Sequence, residues 1–76
     1  MNNTIRVERA IKKMTQQQLA EATSVSRQTI NAIESGKYIP STVLALKIAG
    51  IFGKHVDDIF QLEDTDWADI TFAYGR

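Results

Sequence analysis

Apolar and polar positions follow helical spacing along most of this chain. Val7, Ala10, Ile11 and Met14 recur at i, i+3, i+4 and i+7, which predicts a first helix over about residues 4–13. Thr15-Gln16-Gln17-Gln18 has the form of a capping box, in which the threonine hydroxyl accepts a backbone N–H and the glutamine amide reaches back. It predicts a second helix that buries Leu19, Ala20 and Thr23. Ser24-Val25 then makes a turn, and Ser26 caps a third helix whose apolar side is Ile30 and Ile33. Gly36 supplies the left-handed residue that stops it. Lys37 to Pro40 reads as a loop, because proline pushes the preceding residue out of the helical region. Ser41 caps a fourth helix with Leu44, Ala45, Ile48, Ile51 and Phe52 as a broad stripe, closed by Gly53. A short fifth helix turns Val56, Ile59 and Phe60 inward.

Beyond Gln61 the pattern changes. QLEDTDWADITFAYGR is acidic and then aromatic, and Ile70, Phe72 and Tyr74 alternate as a strand does. A lone strand does not stand in water, so it must pair with the N-terminal segment, pair with its own copy in a dimer, or stay loosely ordered. The expected organisation is a helical domain over residues 1–62 and an acidic, aromatic tail over residues 63–76.

With 76 residues, the chain is one domain near the lower size limit for a stable single core. It has no cysteine, which excludes disulfides, thiolate metal sites and a cysteine nucleophile, and fits a reducing cytoplasm. The N-terminal segment has no apolar core of a signal peptide, and the longest apolar run, Val43 to Phe52, is interrupted by Lys47 and too short to span a bilayer. A soluble, cytoplasmic protein without a membrane partner is expected.

His55 is the single histidine, and Asp57, Asp58, Glu63 and Asp64 lack the spacing of a calcium loop. Aspartates at the start of the fifth helix meet its positive end, which accounts for them. No metal, cofactor or small-molecule ligand is expected. No serine–histidine–acid pattern, glycine-rich phosphate loop or paired carboxylates stand out, so the chain reads as a binding module and not an enzyme.

A net charge of zero conceals a division. Residues 1–54 carry eight basic and three acidic side chains, a balance of +5, and residues 55–76 carry one basic and six acidic, a balance of −5. Such asymmetry points to an acidic segment turned away from a polyanion that the basic segment faces. The unburied side of the third helix shows Arg27, Gln28, Thr29 and Asn31, with no negative charge until Glu34. A guanidinium, two amides and a hydroxyl are groups that can bond base edges in a DNA groove. A solvated helix face has the same composition.

Two short helices joined by a tight turn, the second presenting polar side chains, describe a helix-turn-helix unit. The run MTQQQLAEATSVSRQTINAIESGKYIPS, followed by LALKIAGIFG and VDDIF, resembles the Cro/C1-type (Xre-family) helix-turn-helix regulators over about residues 5–62. The resemblance implies an all-α, five-helix, lambda-repressor-like DNA-binding domain, here with room for a short C-terminal β-strand. It implies a transcriptional regulator, expected to be a repressor, that binds double-stranded DNA as a homodimer at a near-palindromic operator.

Carried over by position, Gln16 resembles the family's phosphate-clamping glutamine. Arg27, Gln28 and Asn31 match positions that face bases, Thr29 contacts base or phosphate, and Lys37 and Tyr38 contact the backbone. Gln17 and Ser26 complete the expected DNA-binding set, and Arg9 with Glu34 matches a structural ion pair. Ile59, Phe60, Trp67 and Phe72 are the expected dimer interface. Three residues depart from the pattern: Ser24 replaces a turn glycine, Glu8 a common leucine, and His55 a serine or threonine cap. The competing reading is a protein-interaction module, such as an antitoxin or bridging factor, with the tail as partner-binding segment. RNA binding fits less well, because no aromatic stacking platform is visible.

Overall fold

The computed structural model describes residues 1–67. Five helices follow one another: α1 (Ile5–Lys12), α2 (Gln16–Thr23), α3 (Arg27–Glu34), α4 (Thr42–Phe52) and α5 (Val56–Ile59). Two short strands, β1 (Asn2–Asn3) and β2 (Phe60–Gln61), pair antiparallel with Asn2 opposite Gln61 and Asn3 opposite Phe60. A single 3-10 turn covers Asp64–Trp67. The strand at Phe60–Gln61, which pairs with the N-terminal segment, is not one the alternation predicts; the strand expected at Ile70, Phe72 and Tyr74 lies outside the described residues.

The helix boundaries are set by local chemistry. At α2 the Thr15 hydroxyl accepts from the Gln18 N–H at 3.0 Å, and the Thr15 N–H donates to the Gln18 side chain at 2.9 Å, closing the capping box. Ser26 caps α3 through the Thr29 N–H, and Ser41 caps α4 through the Leu44 N–H. Gly36 ends the α3 segment at φ +79°, with Gly36 and Lys37 N–H groups donating back to Ile33 and Ala32. Ser24 ends α2 in the same left-handed conformation at φ +61°, with the Ser24 and Val25 N–H groups donating to Glu21 and Ala20. A serine holds that shape at a steric cost of about 1 kcal/mol that glycine avoids.

One core joins the elements. Ile5, Leu19, Ala20, Ile30, Ile33, Leu44, Ile48, Ala49, Phe52, Ile59 and Phe60 are buried together. Thr23 joins them because its hydroxyl donates to the Leu19 carbonyl at 2.8 Å, so its buried polar group is satisfied.

Helix α1 does not bury the stripe its periodicity predicts. Val7 and Ile11 are 58% and 67% exposed, Ala10 is exposed, and the helix turns Ile5 and Glu8 inward. Tertiary anchors decide its rotation. The Thr4 N–H donates to the Ile59 carbonyl at 2.9 Å and β1 pairs with β2, which places Ile5 in the core. Glu8 then meets the Lys54 ammonium at 2.8 Å, and Arg9 meets Glu34.

Phe60 also differs from expectation. It is the first residue of β2, not a residue of the fifth helix, although it is buried as expected. At the start of α5 the Asp58 carboxylate accepts from the His55 N–H at 3.3 Å, so the aspartate supplies a bond at a helix end that lacks the usual hydroxyl cap.

Candidate nucleic-acid interface

Helices α2 and α3 are packed against each other, and α3 buries Ile30 and Ile33 while leaving its opposite side outside. Arg27, Gln28 and Asn31 are exposed on that side, and Thr29 is half-buried. The Thr29 hydroxyl lies 2.9 Å from the Ser26 hydroxyl, so the N-terminal turn of α3 is held by two contacts from the capping serine. Among the described residues, Arg27 and Gln28 make no hydrogen bond and no ion pair with the protein. Their side-chain donors are free for an external acceptor.

The expected pair of Arg9 and Glu34 forms, and it is two-pronged. Arg9 Nη2 donates to Glu34 Oε1 at 2.9 Å and Arg9 Nε donates to Oε2 at 3.1 Å, while Nη1 donates to the Met14 carbonyl at 2.9 Å. The Glu34 side chain is 1% exposed, and this fork geometry suits a carboxylate taken out of water. Gln16 is the third member, which the sequence reading did not place. Its Nε2 donates to Glu34 Oε2 at 2.9 Å and to Asn31 Oδ1 at 3.2 Å. The start of α2 is thereby tied to the outer face of α3 through the glutamine whose expected role is to clamp a phosphate.

A cleft of about 500 Å³ opens where the end of α1 meets the starts of α2 and α3, with Arg9, Lys13, Gln16, Gln17 and Arg27 on its walls. In the first turn of α2 the Gln18 N–H is taken by Thr15, and the Gln16 and Gln17 N–H groups have no preceding helical carbonyl to receive them. Two outward N–H groups at the positive end of a helix, beside lysine and arginine, suit an anionic oxygen. Both Gln16 side-chain hydrogens already serve Glu34 and Asn31, so backbone N–H groups are the donors this corner has to spare.

A second cleft, of about 330 Å³, runs along the other flank of α3 and brings Thr29, Tyr38, Ser41 and Lys47 to one edge. Tyr38 is 50% exposed and Lys37 is exposed just before it. The sequence pattern marks Ser41 only as a helix cap and Lys47 only as a break in an apolar run, and gives neither a place at this surface. The available signal was Lys47 itself, the one charge interrupting the apolar run of α4.

Not every expected residue joins this surface. Ile59 is 0% exposed and Phe60 9%, so both belong to the monomer's core and offer no surface to a second chain. The expectation that they form a dimer interface is corrected accordingly: their short helix and strand close over α4 and are used up there. Trp67 is 45% exposed, and Phe72 lies outside the described residues.

A family model described as helix-turn-helix matches residues 5–59. An uncharacterized HTH-type transcriptional regulator of Methanocaldococcus jannaschii is 52% identical over 66 residues, covering 87% of this chain and 100% of its own length. A regulator of the same description from Bacillus subtilis is 44% identical over 64 residues, covering 84% of this chain and 97% of its own. Among solved structures, the clp gene regulator ClgR from Corynebacterium glutamicum matches with a TM-score of 0.67 at 33% identity, over 71% of this chain. The match spans 57% of the ClgR chain, a little over half its length.

Proposed function

The chain belongs to the helix-turn-helix family and is a DNA-binding transcriptional regulator of the Cro/C1 type, and from that premise we propose that it reads double-stranded DNA in the major groove with α3. The observation that carries this reading is the uncommitted pair at the start of α3. Arg27 and Gln28 project from its first turn with all their donors free, beside a cationic corner that ends in two spare backbone N–H groups. In such units the N-terminal residues of the second helix reach base edges, and the flanking donors hold phosphates. Arginine bonds guanine O6 and N7 in a fork, and glutamine does the same with adenine N6 and N7. Gln17, Ser26, Lys37, Tyr38 and, added from the second cleft, Lys47 serve as phosphate contacts on either flank.

The protein acts as a homodimer on a near-palindromic operator, with half-sites about one helical turn (~34 Å) apart, and represses by occupying promoter DNA. With Ile59 and Phe60 inside the core, the exposed apolar side chains available to a second copy among the described residues include Val7 and Ile11 on α1, Ile39, Val43 and Leu46 around the start of α4, and Leu62 and Trp67 after β2.

The test is selection of bound duplexes from a randomised pool at near-physiological salt, with the native chain beside Arg27→Ala. An inverted-repeat motif is expected, and the variant is expected to lose its preference at one base pair in each half-site. No motif at all, or the same motif selected equally well by Arg27→Ala, would rule out direct readout by this helix.

A further inference from the structure

Glu34, Gln16 and Asn31 form a line in which each partner leaves the next only one orientation. The Glu34 carboxylate has no hydrogen to donate and is held in place by the Arg9 fork. The Gln16 amide that lies 2.9 Å from Oε2 must therefore turn its NH₂ toward Glu34, because its oxygen there would face another oxygen. The second hydrogen of that NH₂ points to Asn31 at 3.2 Å, and the Asn31 atom receiving it must be Oδ1. The Asn31 amide is thus turned with its oxygen toward the protein and its Nδ2 hydrogens toward the exposed side of α3.

We propose that Gln16 is a positioning residue that fixes Asn31 as a hydrogen-bond donor toward the bases, so that this position selects guanine. The inference rests on the reading of α3 as the base-reading helix and specifies what one of its residues reads. An asparagine free to turn pairs in two places with adenine, accepting from N6 and donating to N7. Oδ1 keeps a second lone pair, but its bond to Gln16 holds the oxygen on the protein side of the amide, so the accepting half of that pairing is turned away from the bases. Guanine offers O6 and N7, both acceptors, to the two outward hydrogens. Adenine sets an amino group beside its N7, and cytosine presents an amino group alone, so both meet the Asn31 NH₂ with hydrogens of their own.

The experiment takes the motif selected by the native chain and assigns the Asn31 base pair as the one whose preference Asn31→Ala erases. Guanine is expected there, favoured over adenine by roughly tenfold in affinity. Replacing it with 7-deazaguanine, which lacks the N7 acceptor, should weaken binding of the native chain several-fold. Gln16→Ala, checked for helicity by circular dichroism, should reduce the guanine-over-adenine ratio at that pair while leaving the Arg27 pair unchanged. A uniform loss of affinity across all pairs would instead make Gln16 a phosphate contact only. Adenine at the Asn31 position, indifference to 7-deazaguanine, or no pair responding to Asn31→Ala would each overturn the proposal. Because the 7-deazaguanine measurement uses the native chain, misfolding of a variant does not blunt it. A motif that responds to Arg27→Ala but not to these changes leaves the reading of α3 intact and sinks only the role given to Asn31.

Discussion

Glu8 and Lys54 share one ion pair but depend on it unequally. The Glu8 side chain is 9% exposed and the Lys54 side chain 44%, so only the carboxylate has exchanged most of its water for its partner. Removing the lysine strands a buried charge, whereas removing the glutamate returns an ammonium to solvent. Lys54→Met is therefore expected to lower the urea midpoint at neutral pH, and Glu8→Met to lower it distinctly less. Equal losses in the two variants would contradict the asymmetry. The bond to Glu8, with its charge, holds the Lys54 ammonium above its ordinary pKa of 10.5. With the sign worked out, the contribution from the lysine is complete below its ordinary value of 10.5 and is lost as pH rises from there through the raised value. At this scale the sequence revealed some pairs and concealed others. Arg9 with Glu34 was legible through the family pattern; the place of Gln16 between Glu34 and Asn31 was not. Bonds between residues 15 and 18 positions apart leave no mark on a helical repeat.

Elements were legible where their ends are local. Thr15, Ser26 and Ser41 cap, and Gly36 and Gly53 stop, through groups a few residues away, so sequence spacing is enough to place them. The rotation of α1 is a different matter. Its most apolar stripe is Val7, Ala10 and Ile11, but the β1–β2 pairing and the two ion pairs at Glu8 and Arg9 turn another side inward. The turn between α2 and α3 yields a prediction at this scale. Ser24 sits at φ +61° where glycine fits without steric cost, and glycine gives back part of that gain through its freer unfolded chain. Ser24→Gly is expected to stabilise the domain by about 0.5–1 kcal/mol, measured as a higher urea midpoint at unchanged slope. A lower midpoint would mean that the serine makes contacts in this turn that outweigh its strain.

On the scale of the whole molecule, the charge division was legible by counting, and the fold gives it a geometry. Lys13 and Arg27 border the cleft at the start of α2, and Lys47 stands across α3 at the edge shared with Tyr38. Cations thus flank α3 on both sides, which fits the proposed docking, with the phosphates of a duplex passing on either hand of a helix lodged in the groove. The inside–outside division was harder to read: Ile59 and Phe60 carry the same apolar signal whether they face a core or a second chain, and only packing assigned them to the core. The two kinds of contact predict two kinds of variant. The proposed docking gives Lys47 a phosphate and not a base, so Lys47→Ala should select the same motif as the native chain while binding it more weakly. Each phosphate neutralised adds about 0.9 to the slope of log affinity against log salt, so the variant's slope should be shallower by about 0.9 for each copy of the chain engaged. Arg27→Ala should instead change the motif. Titrations at several salt concentrations with the selected duplex separate the two cases. An unchanged slope for Lys47→Ala would place the backbone of the DNA away from that flank, and with it the position of α3 in the groove would have to be redrawn.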